Sequence, residues 1–473
     1  MIYEPVIGLE VHLHLKTQSK MFCSCSAEYF GDGPNTHTCP VCLGLPGSLP
    51  TLNRAAVEKG LRLALALSCQ VPEFTQFHRK NYYYPDLPKN YQISQYDRPL
   101  GKGGFLEISG HRIGVTRVHL EEDAGKSLHP SYADYSLVDL NRAGAPLIEL
   151  VTEPEISSPE EARLFLAHLR SLAQTLLVSD ANPEEGKMRA DVNVSVHLPG
   201  TPFGTKVEVK NLNSFKSVQR ALEYEISRQS QLLASGAEVA QATMGWDEVA
   251  GKTYLMRTKE GESDYRYFPE PDLPPLYISQ DWLAEVKAGM PELPRAKEER
   301  YLSLGVRAYD AAIIALEPSL ASFFDATVAS FAGEAQKIAN WINADIAGYL
   351  NEKTINIEQT ALTPANLAEL VSLVDSGQIT GKVAKDLLPE VMAGVSPAAL
   401  VESRGLAAMN DTGELRALVE RVIAQNPEVV AKVKSGKTQA LNVLLGQVMK
   451  ESRGRATPEL VRELLQEALG AQV

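Results

Sequence analysis

The sequence predicts an α+β protein, with an antiparallel sheet in its first part and helices alone in the rest. Three observations predict this. Alternating, strand-like runs come in groups, stretches of helical spacing lie between them, and the strand signal stops after about residue 290. Strict strand–helix alternation, the mark of a parallel α/β sheet, is missing.

Pro5–Leu15, Arg112–Leu120, Arg189–Leu198 and Thr205–Leu212 alternate apolar and polar residues, as strands buried on one face do. Asn53–Leu67, Pro159–Leu177 and Ser217–Gly236 carry apolar residues at helical spacing. The second of these opens Ser-Ser-Pro-Glu-Glu, which predicts Ser158 as N-cap, Pro159 in the first turn and acids facing the helix dipole. A break falls at Met290-Pro-Glu-Leu-Pro294, and the chain beyond is rich in Ala, Leu and Glu. A second interruption, around Asn410–Gly413, sets off a compact tail. The predicted domains are 1–292, 293–405 and 406–473.

At 473 residues, 44% of them hydrophobic, the chain has enough apolar side chains for several cores. A net charge of −13 excludes a protein that coats nucleic acid over its whole surface, but leaves room for one basic patch. Met1–Pro5 has no secretory leader pattern, and the most apolar stretch, Leu61–Cys69, contains Arg62 and is too short to cross a bilayer. The expected location is the cytoplasm.

Four of the five cysteines form the pairs Cys23-Ser-Cys25 and Cys39-Pro-Val-Cys42. Two short-spaced pairs joined by a loop close four thiolates tetrahedrally around zinc. Such a shell leaves no open position for substrate, so the expected role of Zn²⁺ is structural, pinning Ser26–Thr38. Cys69 reads as core packing.

In the strand Val6–Leu15, Glu10, His12 and His14 share one face, with Leu9, Val11 and Leu13 on the other. Three consecutive acids, Glu121–Asp123, end a second strand. Glu149 lies inside the apolar run Pro146–Val151, where an acid must be paired or act as a ligand. Asp191, Asn193 and Ser195 share a face of a further strand, and Glu208 lies between Lys206 and Lys210. Strands that each offer carboxylates from a polar face resemble a sheet cradling Mg²⁺ and nucleotide phosphates. Arg79, Lys80, Lys206 and Lys210 are candidates for the positive charge that phosphoryl transfer requires. No P-loop is present. Gly101-Lys-Gly-Gly104 matches a phosphate loop weakly and reads better as a hairpin turn.

Asn81–Tyr91 and Ser263–Pro275 are dense in Tyr, Pro and charge; Tyr265 and Arg266 belong to the second. Too polar for a core, they read as a stacking surface for a base, ribose or aminoacyl end, or more plainly as packed loops. In Val430–Ala456, Lys432, Lys434, Lys437, Lys450, Arg453 and Arg455 face the single acid Glu451. That basic rim surrounds an apolar stripe of Ala440, Leu441, Leu444, Leu445 and Val448, and suits contact with an RNA backbone or a solvated face.

Ile7-Gly-Leu-Glu-Val-His12, Arg79-Lys-Asn-Tyr-Tyr-Tyr-Pro-Asp86, His119-Leu-Glu-Glu-Asp-Ala-Gly-Lys126 and Glu208-Val-Lys-Asn-Leu-Asn-Ser214 resemble the B-subunit family of tRNA-dependent amidotransferases. Asp264-Tyr-Arg-Tyr-Phe-Pro-Glu-Pro-Asp272 and Gly446-Gln-Val-Met-Lys450 extend the likeness over nearly the whole chain. The resemblance implies a glutamine-synthetase-like cradle, a helical domain and a small all-α tail that reads tRNA. It implies a glutaminase A subunit and a small C subunit as partners. It also implies ATP-dependent phosphorylation of the side-chain carboxylate of Glu-tRNA(Gln) or Asp-tRNA(Asn), followed by amidation with ammonia. Carried over by position, His12, Glu122 and Glu149 are the implied Mg²⁺ ligands, with Glu10 beside them. Strand parity would place Glu121 rather than Glu122 with His119, so the choice between them stays open. Asp191, Asn193, Glu208 and Lys80 would line the same cradle. Two other classes fit parts of the sequence: a metal hydrolase built on His12 and His14, and a non-catalytic tRNA-binding scaffold built on the tail.

Overall fold

The computed structural model describes residues 2–130, 132–258, 265–409, 412–435 and 438–470, with 412 and 438 by backbone alone. The chain divides into two units, Met1–Pro294 and Arg295–Val473.

Eight stretches of the first unit pair into one sheet: β1 Glu4–His14, β2 Gly101–Ile108, β3 His111–Glu122, β4 Pro146–Thr152, β5 Met188–His197, β6 Val207–Lys210, β7 Ala242–Asp247 and β8 Lys252–Thr258. Their spatial order is β8-β7-β6-β5-β1-β4-β3-β2. The alternating runs of the sequence supply β1, β3, β5 and β6. Leu9, Val11 and Leu13 of β1 are buried, as are Ile148 and Leu150 of β4 and Val192 and Val194 of β5. They share one core with three helices, α1 Arg54–Ala66, α2 Pro159–Thr175 and α3 Phe215–Ala234, which contribute Leu61, Phe165, Leu169 and Leu222 among others. The helices therefore cover the apolar face, and the face bearing Glu10 and His12 is left to polar chemistry. The Ser158 hydroxyl caps α2 by accepting from Glu161 N–H, with Pro159 in the first turn, as the sequence predicts.

The sheet is not wholly antiparallel. β6 and β7 run parallel, because α3 lies between them in sequence and forms the crossover such a pair needs. A smaller sheet of Phe268–Pro269, His78–Asn81 and Tyr91–Ser94 carries Lys80.

Gly101–Gly104 is neither a phosphate loop nor a hairpin turn; it opens β2. Gly101 and Gly104 pass close to the end of α1. A Cβ on Gly104 would stand 2.5 Å from Leu67 O and 2.4 Å from Cys69 Sγ, and one on Gly101 2.9 Å from Cys69 Cβ. Glycine is needed here for close packing, and Cys69 is the buried residue it packs against.

The second unit is helical, beginning with Pro294–Ser303. It contains two separate cores. One joins residues such as Tyr301, Phe324, Ile338, Leu367 and Leu387; the other joins Leu415, Val419, Leu444, Val448, Val461 and Leu465. The Asn410–Gly413 interruption lies partly outside the described residues. No single helix among the described residues is long and apolar enough to cross a membrane.

Gly104→Ala is expected to destabilise the first unit by about 1–3 kcal/mol, the usual cost of overpacking against backbone. A lower thermal midpoint of the full chain, with the cysteines otherwise unchanged, checks it.

Candidate active site

The register of four strands sets the site. His12 of β1 lies opposite Arg189 of β5 on one side and Glu149 of β4 on the other, and Glu149 lies opposite His119 of β3. These four side chains form one row across the polar face. One step along, Glu121 projects from β3 on the same face as His119. His12 Nε2 is 3.3 Å from Glu149 Oε2 and 3.6 Å from Glu121 Oε1. One donor atom from each of His12, Glu121 and Glu149 lies within 4.8 Å of the others.

The pleat places Glu122 elsewhere. Its side chain turns to the opposite side of β3, where it pairs with Lys89 and accepts from the N–H of Ile93 at 2.9 Å. The cluster thus holds Glu121 where the family motif implies Glu122, because adjacent strand residues face opposite ways. His14 does not join His12 either. It pairs with Asp123 at 2.8 Å, and Asp123 also receives Arg189 at 2.8 Å and Arg142 at 3.5 Å.

Both cluster acids are buried, Glu121 2% and Glu149 7% exposed, so their charges require compensation. Burial works against the charge of Glu149, but His119 and His12 outweigh it and hold its carboxyl well below the ordinary range. Burial likewise opposes a charged His12, and the hydrogen bond and charge of Glu149 reverse that, lifting its pKa. Lys80 reaches the cluster from the small sheet. Burial opposes its charge, yet Glu121, Tyr267 and Glu149 raise its pKa, so it stays an ammonium.

A line of polar residues continues along the sheet. Glu10 lies opposite Asp191 and accepts from Asn193 Nδ2 at 2.9 Å. Lys210 bridges Asp191 at 2.5 Å and Glu208 at 3.0 Å, and Thr243 donates to Glu208 at 3.0 Å. Lys206 is not part of this line; it precedes β6 and is exposed. Arg79 is committed to Glu270 at 2.7 Å and lies over the Tyr91 ring.

Beside Lys80 opens a cavity of about 390 Å³, lined by Tyr82, Tyr83, Tyr84, Arg257, Tyr265 and Arg266 as well. Lys80 Nζ stands 5.0 Å from the Tyr265 ring centroid, and Arg266 donates to the Tyr83 hydroxyl at 3.0 Å. Sequence reasoning misses Arg257. It comes from a strand with no polar alternation, and only the pairing of β8 with β7 brings it here.

Cys23, Cys25, Cys39 and Cys42 gather their sulfurs within 4.8 Å, and none is in a disulfide. The Cys39–Cys42 separation of 3.8 Å matches the edge of about 3.8 Å that a tetrahedron with metal–sulfur bonds of about 2.3 Å requires. Hydrogen bonding from Cys23 and the nearby Lys20 ammonium hold the Cys42 thiol well below its usual range. The loop after Cys25 is stitched to the turn before β4. Asn35 N–H donates to Asp139 at 3.0 Å, and Asn141 Nδ2 donates to Gly33 O at 2.7 Å.

In the tail, Lys432 and Lys434 end the helix Pro427–Lys434, and Lys450 ends Leu441–Glu451. These three and Arg453 are exposed. Arg455 is half-buried and donates to Ser452 O at 3.2 Å, so it braces the turn. Lys437 lies outside the described residues.

The family model described as "GatB/GatE catalytic domain" matches residues 5–284, and the one described as "GatB domain" matches 322–469. The chain belongs to the GatB/GatE family. It is 62% identical over 469 residues to the aspartyl/glutamyl-tRNA(Asn/Gln) amidotransferase B subunit of Thermus thermophilus, covering 99% of this chain and 100% of that one. Proteins of the same name from Deinococcus radiodurans and Carboxydothermus hydrogenoformans are 56% and 50% identical, over 99% of this chain and 100% and 99% of theirs.

One equivalent of tightly held divalent metal is expected in the purified chain, and its loss in the Cys39→Ser, Cys42→Ser double variant. Elemental analysis after dialysis against a weak chelator checks this; metal retained in the double variant refutes the site.

Proposed function

We propose that this chain is the kinase and amide-forming subunit of a tRNA-dependent amidotransferase. In this reading it phosphorylates the side-chain carboxylate of Glu-tRNA(Gln), Asp-tRNA(Asn) or both with ATP, then hands the acyl phosphate to ammonia. One observation carries the reading: His12, Glu121 and Glu149, brought from three strands, converge beside a lysine and an aromatic, basic cavity.

A carboxylate is a poor electrophile, and its attack on a triphosphate sets like charges against each other. Alignment and positive charge are what the protein must add. Lys80 and Arg257 at the cavity supply charge, while Tyr265, Tyr83 and Tyr84 offer ring faces to a base or sugar. Tyr265 and Arg266 would bind there, with Lys210, Asn193, Asp191 and Glu10 orienting the aminoacyl end along the sheet.

The nitrogen and two carboxylates of His12, Glu121 and Glu149 fit a Mg²⁺-type cation. Their N–O separations slightly exceed the ~3 Å between neighbouring corners of an octahedron with bonds of about 2.1 Å. When bound, that cation would screen phosphate charge. The carboxylate oxygen forms a bond to the γ-phosphorus as ADP leaves. Ammonia then attacks the acyl carbon, and inorganic phosphate departs. Water must be kept from the acyl phosphate meanwhile.

Helices on one face of the sheet and acids on the other support the glutamine-synthetase-like cradle. The thiol cluster suits structural Zn²⁺. Relatives named as one component of an amidotransferase support assembly with a glutaminase A subunit and a small C subunit in the cytoplasm. The exposed Lys432, Lys434, Lys450 and Arg453 support tRNA contact through the tail, with Lys437 and Arg455 in the same segment. The hydrolase reading loses its HxH pair, since His14 is held by Asp123.

Three outcomes test the proposal. In the assembled complex, Glu149→Gln should cut ATP hydrolysis dependent on Glu-tRNA(Gln) roughly a hundredfold or more while tRNA binding survives. No such ATPase in wild-type complex would favour a mere scaffold. Mn²⁺ affinity should fall at least tenfold in Glu121→Gln and hold in Glu122→Gln, by analogy with ~10–100-fold costs at metal sites; the reverse pattern restores Glu122 as ligand. Removing the chain after Met409 should weaken tRNA binding and lower its salt dependence, by about one unit of slope for each phosphate the tail neutralises. An unchanged affinity would separate the tail from tRNA.

A further inference from the structure

Lys20 is fully buried, and a lysine is almost never so placed unless an opposite charge meets it. Among the described residues no carboxylate pairs with it. The acids that end β3 are taken, Glu122 by Lys89 and Asp123 by His14, Arg142 and Arg189. Lys20 Nζ meets three acceptors instead: His37 O at 2.7 Å, Leu140 O at 3.5 Å and Cys42 Sγ at 3.7 Å. The two carbonyls solvate part of the ammonium but carry no net charge. They leave the burial of a full positive charge uncompensated.

The thiols can supply the missing charge. Four thiolates around a divalent ion leave the cluster with two negative charges in excess. Cys42 is the buried member of the quartet, the other three being partly exposed, so its sulfur has the least help from water. Cys42 Sγ accepts from Cys39 N–H at 3.1 Å and lies within reach of an N–H···S hydrogen bond from Lys20. The amide offers a dipole; Lys20 brings a whole charge. The same residue is tied to both cysteine pairs, because its backbone N–H donates to Cys25 O at 2.9 Å while its side chain reaches Cys42. Through Leu140 O it also touches the turn that leads into β4.

We propose that the Lys20 ammonium is the counter-charge of the metal–thiolate cluster, donating to Cys42 Sγ and so setting how firmly the sulfurs hold their metal. The inference rests on the zinc reading of the four thiols and adds to it a positioning residue that touches a ligand and not the ion. A hydrogen bond and a positive charge at a thiolate draw electron density from sulfur. They make the cluster less costly to bury, slower to lose its metal and less nucleophilic.

The full chain, loaded with Zn²⁺ or with Co²⁺ as its spectroscopic stand-in, is compared with Lys20→Met, which keeps the length of the stem and removes the charge. In the Co²⁺ form the variant should retain the visible bands of a tetrahedral four-sulfur site, which report an intact cluster. Its sulfur-to-cobalt charge-transfer band should move to lower energy. Zn²⁺ affinity, read by chelator competition, should fall about 10–100-fold, the usual cost of removing an outer partner of a metal ligand. An unmoved charge-transfer band would overturn the proposal even with affinity lowered, because losing a mere brace loosens the loop without changing the electron density on sulfur. A second measurement needs no variant: acetylation of Lys20 by acetic anhydride, mapped by mass spectrometry. Lys20 should stay unlabelled in the Zn²⁺-loaded chain and react once a chelator strips the metal, since its burial then lacks the charge of the cluster. Lys20 still protected in the metal-free chain would make it a backbone brace and overturn the proposal as well. A chain whose thiols bind neither ion would fail the zinc reading itself, so the two failures are distinguishable.

Discussion

The first unit turns on a buried carboxylate, Glu149, held in mid-sheet between His12 and His119. An acid in an apolar strand costs several kcal/mol when left alone. Here cross-strand register supplies both partners, and Lys80 adds charge from the small sheet. A slip of one residue between β1 and β4 would move His12 to the core face and Leu13 to the site. The apolar set Leu9, Val11 and Leu13, packed with Leu61 and Phe165, therefore does more than stabilise the fold: it locks the register that makes the site.

The cysteine loop braces the same region. Lys20 is fully buried; its Nζ donates to His37 O at 2.7 Å and stands 3.7 Å from Cys42 Sγ. Asn35 and Asn141 tie the loop to the turn that leads into β4. At the end of that turn, Asp123 N–H donates to Ala145 O at 2.8 Å, linking the tip of β3 to the start of β4. Asp123 then gathers His14, Arg142 and Arg189. The thiols lie outside the acidic cluster, and their loop steadies the strand ends from which it is built.

Much of this is legible in the alternating runs. Parity alone puts Glu10 and His12 on one face, and it also pairs His119 with Glu121. The family motif points to Glu122, and parity to Glu121; the pleat follows parity because β3, after an irregularity between Val115 and Arg117, is regular from Arg117 through Glu122. What alternation cannot show is which strands become neighbours. Lys206 and Lys210 look equivalent along the chain, yet only Lys210 lies within the strand and reaches Asp191. Arg79 looks free until Glu270, far off in sequence, takes its guanidinium. The Gly101–Gly104 run looks like a turn because the close approach of Cys69 is a tertiary fact.

The order of strands and helices, the thiol quartet, the polar face of β1 and the basic segment of the tail follow from residue spacing. Periodicity and ligand chemistry are local properties, so the unfolded chain already carries them. The row Arg189–His12–Glu149–His119, the parallel joining of β6 to β7, the arrival of Lys80 and Arg257 and the withdrawal of Glu122 belong to the folded molecule. Each depends on the pairing of segments far apart in the chain, and burial of the common apolar face, not any local preference, selects that pairing.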